Sequence, residues 1–423
     1  MKKHTTILPM IIIGTLFFIF GFVTWLNGSL IPFLKVICDL SEFQSLFVTF
    51  AFYIAYTFMA FPMSFILEKT GYKNAMAIGL GIMVIGSLIF IPAALGANFT
   101  LFLLALFTLG TGLTILQTAS NPYVVLIGPI ESAAMRISIM GLINKGAGVF
   151  VPLVFTAFIL SDIPNLLYAD LSYEQVDALA QRLVLPYIIM AVVLSGLIVL
   201  VKFSSLPELD FSHHDDHEDK ESIFHFPRVV LGAVALFFYV GIEVIAGDTI
   251  GLYGQSLGME NATALTSYTM VFMVFGYIVG VLFIPKFLSQ KIALIGSSML
   301  GILFLLGVAF SSNESNTVSE ILWGWSSIGT LPNSVTFIAL LGFANALVWP
   351  SIWPLALEGL GKYTAQGSAL LITAIAGGAL LPLLFGRISQ LSGDMQSSYL
   401  IGVVCYIFIL FYALKWHKID SWK

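Results

Sequence analysis

Twelve apolar stretches of roughly 20 residues or more, each long enough to cross a ~30 Å hydrocarbon core, leave this chain few alternatives to a helical membrane protein. They fall near 8–34, 44–67, 74–95, 99–126, 137–160, 184–205, 229–257, 263–288, 291–310, 335–357, 364–386 and 397–416, six on each side of a polar middle. Only 10% of the 423 residues are charged, against about 25% in soluble proteins. The expected fold class is therefore an all-α membrane protein with twelve transmembrane helices in two pseudo-symmetric six-helix halves. The expected division is 1–206, a linker at 207–227, and 228–423. The first span exceeds the roughly 7 to 15 apolar residues of a signal peptide and lacks a small-residue cleavage site, so it is expected to stay.

An internal echo sharpens this. The segment beginning at Leu116, LQTASNPYVVLIGPIESAAMRISIMGLINKGAGVFVPLVF, returns in outline from Leu347 as LVWPSIWPLALEGLGKYTAQGSALLITAIAGGALLPLLF. Each copy has an apolar helix with a proline (Pro122, Pro354), a short charged turn, and a small-residue helix ending in proline (Pro152, Pro382). Repeated, proline-interrupted helices are what alternating access needs, one repeat rocking against the other around a central site.

Lys and Arg set the orientation, because they are retained on the cytoplasmic side. With both termini inside, Lys2, Lys3, Lys69, Lys73, Arg136, Lys202, Lys220, Arg228, Lys286, Lys291, Lys362, Lys415, Lys418 and Lys423 fall inside, and only Lys35, Arg182 and Arg387 outside. Cys38 and Cys405 lie in or beside different spans, so no disulfide framework is implied. The linker carries His213, His214 and His217 among acids. Imidazole and carboxylate suit a divalent metal, but nothing there fixes a coordination geometry, and a solvated acidic linker is the expectation. Every histidine lies in a loop, the linker or near a terminus, which argues against an embedded hydrolase or acyltransferase needing acid–base chemistry at depth.

Ionisable groups inside a membrane cost on the order of 2.5 to 3.5 kcal/mol each on insertion scales, so each needs a reason. Three lie well inside the spans: Lys145, Glu243 and Asp248. Counted at 1.5 Å per residue from Arg228, Glu243 lies about 22 Å along the seventh span and Asp248 about 30 Å, near the far edge. Lys145 lies about 13 Å along the fifth span from Arg136, where its stem can snorkel to the inner interface. The depth difference of about 9 Å makes a pair with Glu243 awkward. Neutral polar groups form faces: Gln117 and Asn121 four apart on the fourth span, and Asn345, Trp349 and Trp353 at four-residue steps on the tenth. Trp25, Asn27, Gly28 and Asn144 add to them. Amides can bond sugar hydroxyls while an indole covers a pyranose C–H face. The plainer alternative is that Asn and Gln join helices and Trp marks the interface.

At this point the chain resembles the major facilitator superfamily, and within it the fucose/galactose/glucose:cation symporter family, in particular its glucose/galactose branch. The resemblance rests on FFIFGFVTWLNGSLIP, LQTASNPYVVLIGPIESAAMRISIMGLINK, FFYVGIEVIAGDTI and NALVWPSIWPLALEGLGKYTAQGSALL, and covers nearly the whole chain. The superfamily's loop signature survives in degraded form as SFILEKTGYKN. By resemblance, Glu68, Lys69 and Lys73, with Arg136, would latch helix ends and govern rocking. Fucose transporters of the family carry an aspartate where this chain has Gly28 and a glutamate where it has Gln117, so proton coupling through those two positions is excluded and fucose is the less expected substrate.

The expectation is thus a bacterial inner-membrane symporter of glucose or galactose. Gln117, Asn121, Asn144, Asn345, Trp349, Trp353, Trp25 and Asn27 would hold the sugar. Glu243 and Asp248 would couple the cation, Na⁺ near Glu243 before H⁺. No enzyme activity, no cofactor beyond the coupling ion and no nucleic acid are expected. The partners would be the sugar and the bilayer, and the protein a monomer. Alternatives are another sugar, such as N-acetylglucosamine or fucose, and a membrane sugar sensor that does not transport.

Overall fold

The computed structural model describes residues 7–126, 133–160, 172–204, 206, 222–284, 287–360 and 363–422. Among the described residues, twelve helical spans are long and apolar enough to cross a membrane. They are α1 (Leu8–Ile37), α2 (Glu42–Ala60), α3 (Lys69–Leu95), α4 (Phe99–Ser120), α5 (Arg136–Ile159), α6 (Tyr173–Phe203), α7 (Pro227–Asp248), α8 (Ala262–Phe283), α9 (Gln290–Phe310), α10 (Asn333–Leu357), α11 (Leu370–Ser392) and α12 (Met395–Lys418). The expected all-helical, twelve-span fold is observed, six spans before residue 207 and six after 221. With an even number of crossings in each set, both chain ends and the segment between α6 and α7 share one face, here called the linker face. The histidine-rich stretch with His213, His214 and His217 lies outside the described residues, as does the side chain of Glu68.

The helices begin where the sequence can cap them. Ser41 and Gln44 form a reciprocal capping box before α2, Ser289 accepts from Ile292 N–H at α9, and Asp394 accepts from the N–H groups of Gln396 and Ser397 at α12. Near the start of α3 the chain turns at Gly71, whose φ of 77° suits a residue without a Cβ. Several spans are interrupted. Helix α1 breaks at Leu26, between Ile7–Trp25 and Asn27–Ile37. Helix α10 breaks at Ala346–Leu347, and Pro350, four residues after Ala346, cannot supply the amide that would bond its carbonyl. Helix α7 pauses at Thr249 and continues as Ile250–Ser256; the Thr249 hydroxyl bonds back to the Ile245 carbonyl at 2.7 Å, a contact that bends helices.

Among the described residues, several polar contacts between the two sets of six helices lie on the face opposite the linker. There Ser29 Oγ donates to Thr263 O at 2.7 Å, the Thr156 and Thr263 hydroxyls meet at 2.7 Å, and Gln255 Nε2 donates to Pro32 O at 3.4 Å. Gly28 is pressed into this seal: a Cβ on it would stand 2.3 Å from Thr266 Oγ1 and 3.0 Å from the Gly247 carbonyl. On the linker face, by contrast, Lys73 Nζ bonds Ser204 O at 3.0 Å within the first six helices, and Arg228 pairs with Glu358 and Asp420 within the last six. Lys69 is exposed, and Arg136 Nε bonds Val124 O at 2.9 Å. Lys73 and Arg136 thus each hold a backbone carbonyl of the first six helices.

Candidate transport site

A cavity of about 160 Å³ lies between the two sets of helices. From the first six helices it is lined by Trp25, Tyr53, Gln117, Asn144 and Lys145, among others. Tyr239, Glu243, Tyr277 and Trp349 face it from the last six. The lining reaches Ile137 and Ser138 in the first turn of α5, so the cavity extends toward the linker face while the opposite face is sealed.

Its electrostatic centre is an ion pair. Lys145 Nζ lies 2.7 Å from Glu243 Oε1, and Tyr239, one turn before Glu243 on the same helix face, donates to the same oxygen at 2.8 Å. Both charged residues are less than a tenth exposed. The Lys145 ammonium also stands 4.3 Å from the centroid of the Trp25 ring, a cation–π contact. Trp25 is fixed in turn: a Cβ at Gly148 or Gly247 would come within 2.7 and 2.6 Å of its indole, so the ring fits between α5 and α7 only because both positions are bare. Its Nε1 points to Asn144 Oδ1 at 3.5 Å, and Asn144 Nδ2 reaches Phe17 O at 3.4 Å.

This corrects the sequence reading of Lys145. The snorkelling expectation and the awkward depth mismatch fail: the lysine points across the interface and meets Glu243 at 2.7 Å. Glu243 consequently has its charge balanced by an ammonium, and Oε1 is already engaged by two donors, which leaves it poorly placed to hold sodium. Asp248 is also not an edge residue. It has no exposed surface, because the chain continues past it as Ile250–Ser256, and it accepts one hydrogen bond, from Thr49 Oγ1 at 3.1 Å.

Of the expected sugar ligands, Trp25, Gln117, Asn144 and Trp349 line the cavity. Asn345, Trp353 and Asn27 do not. Asn345 is fully buried and accepts from Tyr406 OH at 2.6 Å, because the break after it ends the continuous face it was expected to share with Trp349. Trp353 packs beside Trp349 with ring centroids 5.5 Å apart, its Nε1 buried without a partner. Asn27 is buried in α1, and neither of its amide atoms has a partner among the described residues. The side chain of Asn121 lies outside the described residues. The tyrosines 53, 56, 239 and 277 were missed because tyrosine reads as apolar in a span; the four-residue spacing of Tyr239 and Glu243 was the one usable signal.

A cavity between two six-helix sets, closed on one face and reaching the other, is the arrangement of an alternating-access carrier. The chain belongs to the Major Facilitator Superfamily, whose family model matches residues 13–382. Among relatives, the glucose/galactose transporter of Brucella abortus biovar 1 (strain 9-941) is 31% identical over 401 residues, covering 94% of this chain and 92% of that protein. The putative glucose/galactose transporter of Helicobacter pylori (strain J99) is 32% identical over 426 residues, covering 99% of each. A crystal structure of the E. coli fucose:proton symporter FucP, in an alanine variant, superposes with a TM-score of 0.71 at 25% identity, covering 97% of this chain and 98% of that one.

Proposed function

We propose that the protein is a secondary active sugar transporter that carries glucose or galactose inward with a cation. The observation that carries this reading is the cavity lining: Gln117 and Asn144 offer amide donors and acceptors and Trp349 an indole face, while Trp25, with the Lys145 ammonium over its ring, backs the opposite wall. The names of the Brucella and Helicobacter relatives support the choice of hexose. Residues 1–206 and 228–423 rock as two bodies joined by the linker 207–227, and the linker face is the cytoplasmic face of a bacterial inner membrane, as its excess of Lys and Arg argues. In this reading the Lys145–Glu243 pair holds the two bodies in register beside the sugar, and the sealed far face makes the conformation inward-facing.

The test is uptake of labelled glucose and galactose into proteoliposomes, under an imposed pH gradient in one set and an imposed Na⁺ gradient in another. Uphill accumulation under either gradient is the expected result, and absence of both accumulation and counterflow with both sugars would overturn the reading. Within it, Gln117→Ala should lower uptake by about 10-fold or more while the protein stays folded, the loss of one or two hydrogen bonds to a bound hydroxyl. Undiminished uptake would remove Gln117 from the site. A second reading, L-fucose as substrate, follows from the fucose:proton symporter relative and is decided by competition with unlabelled fucose.

A further inference from the structure

Asp248 is a buried ionisable group that the sugar site leaves unused. It has no exposed surface, and among the described residues its one side-chain hydrogen bond is the 3.1 Å contact between Oδ2 and Thr49 Oγ1, with Oδ1 unpartnered. The charged and titratable groups around it are Glu243 on its own helix, Lys145 on α5 and Tyr53 on α2. Lys145 is engaged with Glu243 at 2.7 Å. An ionised Asp248 would therefore sit in the membrane interior with one neutral donor and no cation in contact, an expensive state. The neutral acid is not expensive: its hydroxyl can donate along the same contact to Thr49 Oγ1, leaving Oδ1 as an uncharged carbonyl oxygen. Sodium would need several further oxygens around the carboxylate, whereas a proton needs only the Thr49 hydroxyl already in contact with it.

The contact also has a telling place. Asp248 belongs to the last six helices and Thr49 to the first six, and their neighbours include Gly28 against Gly247 in the far-face seal. When the far gate opens, this contact parts and water reaches the carboxylate.

We propose that Asp248 is the proton-binding group of the transport cycle, and that the far gate closes over it only in its neutral acid form. The proton comes from water at the far face while that gate is open, forming an O–H bond on the carboxylate. It leaves to water in the cavity past Tyr53, which stands one turn from Thr49 on α2 and lines the cavity. Each closure thus carries a proton inward, which supplies the cation that the proposed symport requires; the inference rests on that reading.

A substrate-independent experiment tests it. In a Cys38→Ser background, Cys405 being buried, Ser29→Cys places a thiol in the far seal. Its labelling by a membrane-impermeant maleimide is followed from about pH 5 to about pH 8 with Asp248 and with Asp248→Asn. Dividing the two series removes the thiol's own pH dependence. The ratio should be about one at the acid end and should rise about 10-fold or more toward the alkaline end, because the acid form favours closure and is lost as pH rises. A flat ratio would overturn the proposal. So would failure of Asp248→Asn to fold, since the amide reproduces the neutral acid. In proteoliposomes Asp248→Asn should keep sugar counterflow and lose accumulation driven by a pH gradient; retained accumulation would also overturn it. If the unaltered protein shows no counterflow with any sugar, the sugar reading fails, while the labelling ratio still decides Asp248.

Discussion

Glu243 and Asp248 stand five residues apart on one helix, yet the regions around them keep an acid in the membrane by opposite means. Around Glu243 the cavity supplies a full counter-charge, a tyrosine donor and an indole under the ammonium. Around Asp248 the far seal supplies one threonine hydroxyl. A permanently compensated acid can remain charged through a whole cycle, so it suits a fixed joint between two bodies. An uncompensated one must change its protonation whenever water is withdrawn, so it suits a contact that opens and closes. The difference teaches that burial alone does not mark a coupling residue; what marks it is burial without a partner at a contact that has to part.

The strongest way to break this comparison is Lys145→Met. Removing one member of a buried pair leaves an uncompensated charge, which costs about 3 to 5 kcal/mol. A barrier or population change of that size corresponds to roughly 100-fold or more in transport rate. Thermal stability of the purified protein should fall visibly, and adding Glu243→Gln to Lys145→Met should restore most of it. Asp248→Asn, by contrast, should leave stability unchanged or raised. Equal stability losses for Lys145→Met and Asp248→Asn would show that the two regions do not differ as argued.

Next in size is Gly28→Asp, which puts into this chain the acid that fucose transporters of the resembled family carry. Its Cβ would come 3.0 Å from the Gly247 carbonyl and 2.3 Å from Thr266 Oγ1, so the seal must spread. Overpacking of this kind costs about 1 to 3 kcal/mol, and uptake should drop by roughly 10-fold. A thiol at position 29 should become open to labelling at every pH rather than only at high pH. Normal uptake in Gly28→Asp would mean that the seal is looser than the structure shows.

The twelve spans were legible because lipid forces each to be a long apolar helix, and Gln117, Asn144, Trp25 and Trp349 could be picked out as polar or aromatic side chains within such spans; these four line the cavity. What could not be read was everything that depends on a helix ceasing to be straight. The face Asn345 shares with Trp349 exists only on an unbroken helix, and the break before Pro350 sends Asn345 to Tyr406 instead. The pause at Thr249 has no proline or paired glycine to announce it, so Asp248 read as an edge residue. Depth counted along the spans also separated Lys145 from Glu243, although the long lysine side chain brings them to 2.7 Å.

The smallest effect expected separates the two tryptophans of α10 and tests how far the cavity region extends. Trp349 lines the cavity, whereas Trp353 packs beside it, and its Nε1 is buried with no hydrogen-bond partner among the described residues. Trp353→Phe removes that orphaned donor along with part of a ring. Losing an unpaired buried N–H relieves a desolvation penalty of about 1 to 3 kcal/mol, which offsets the apolar area given up. The apparent KM for sugar should therefore change by less than about 2-fold, within about 0.4 kcal/mol. Trp349→Ala, which removes a wall of the cavity, should raise it by roughly 10-fold. If Trp353→Phe raised the apparent KM as much as Trp349→Ala, the indole N–H of Trp353 would be bonding sugar in the loaded state, and the sugar site would extend one turn further toward the linker face than the cavity now does.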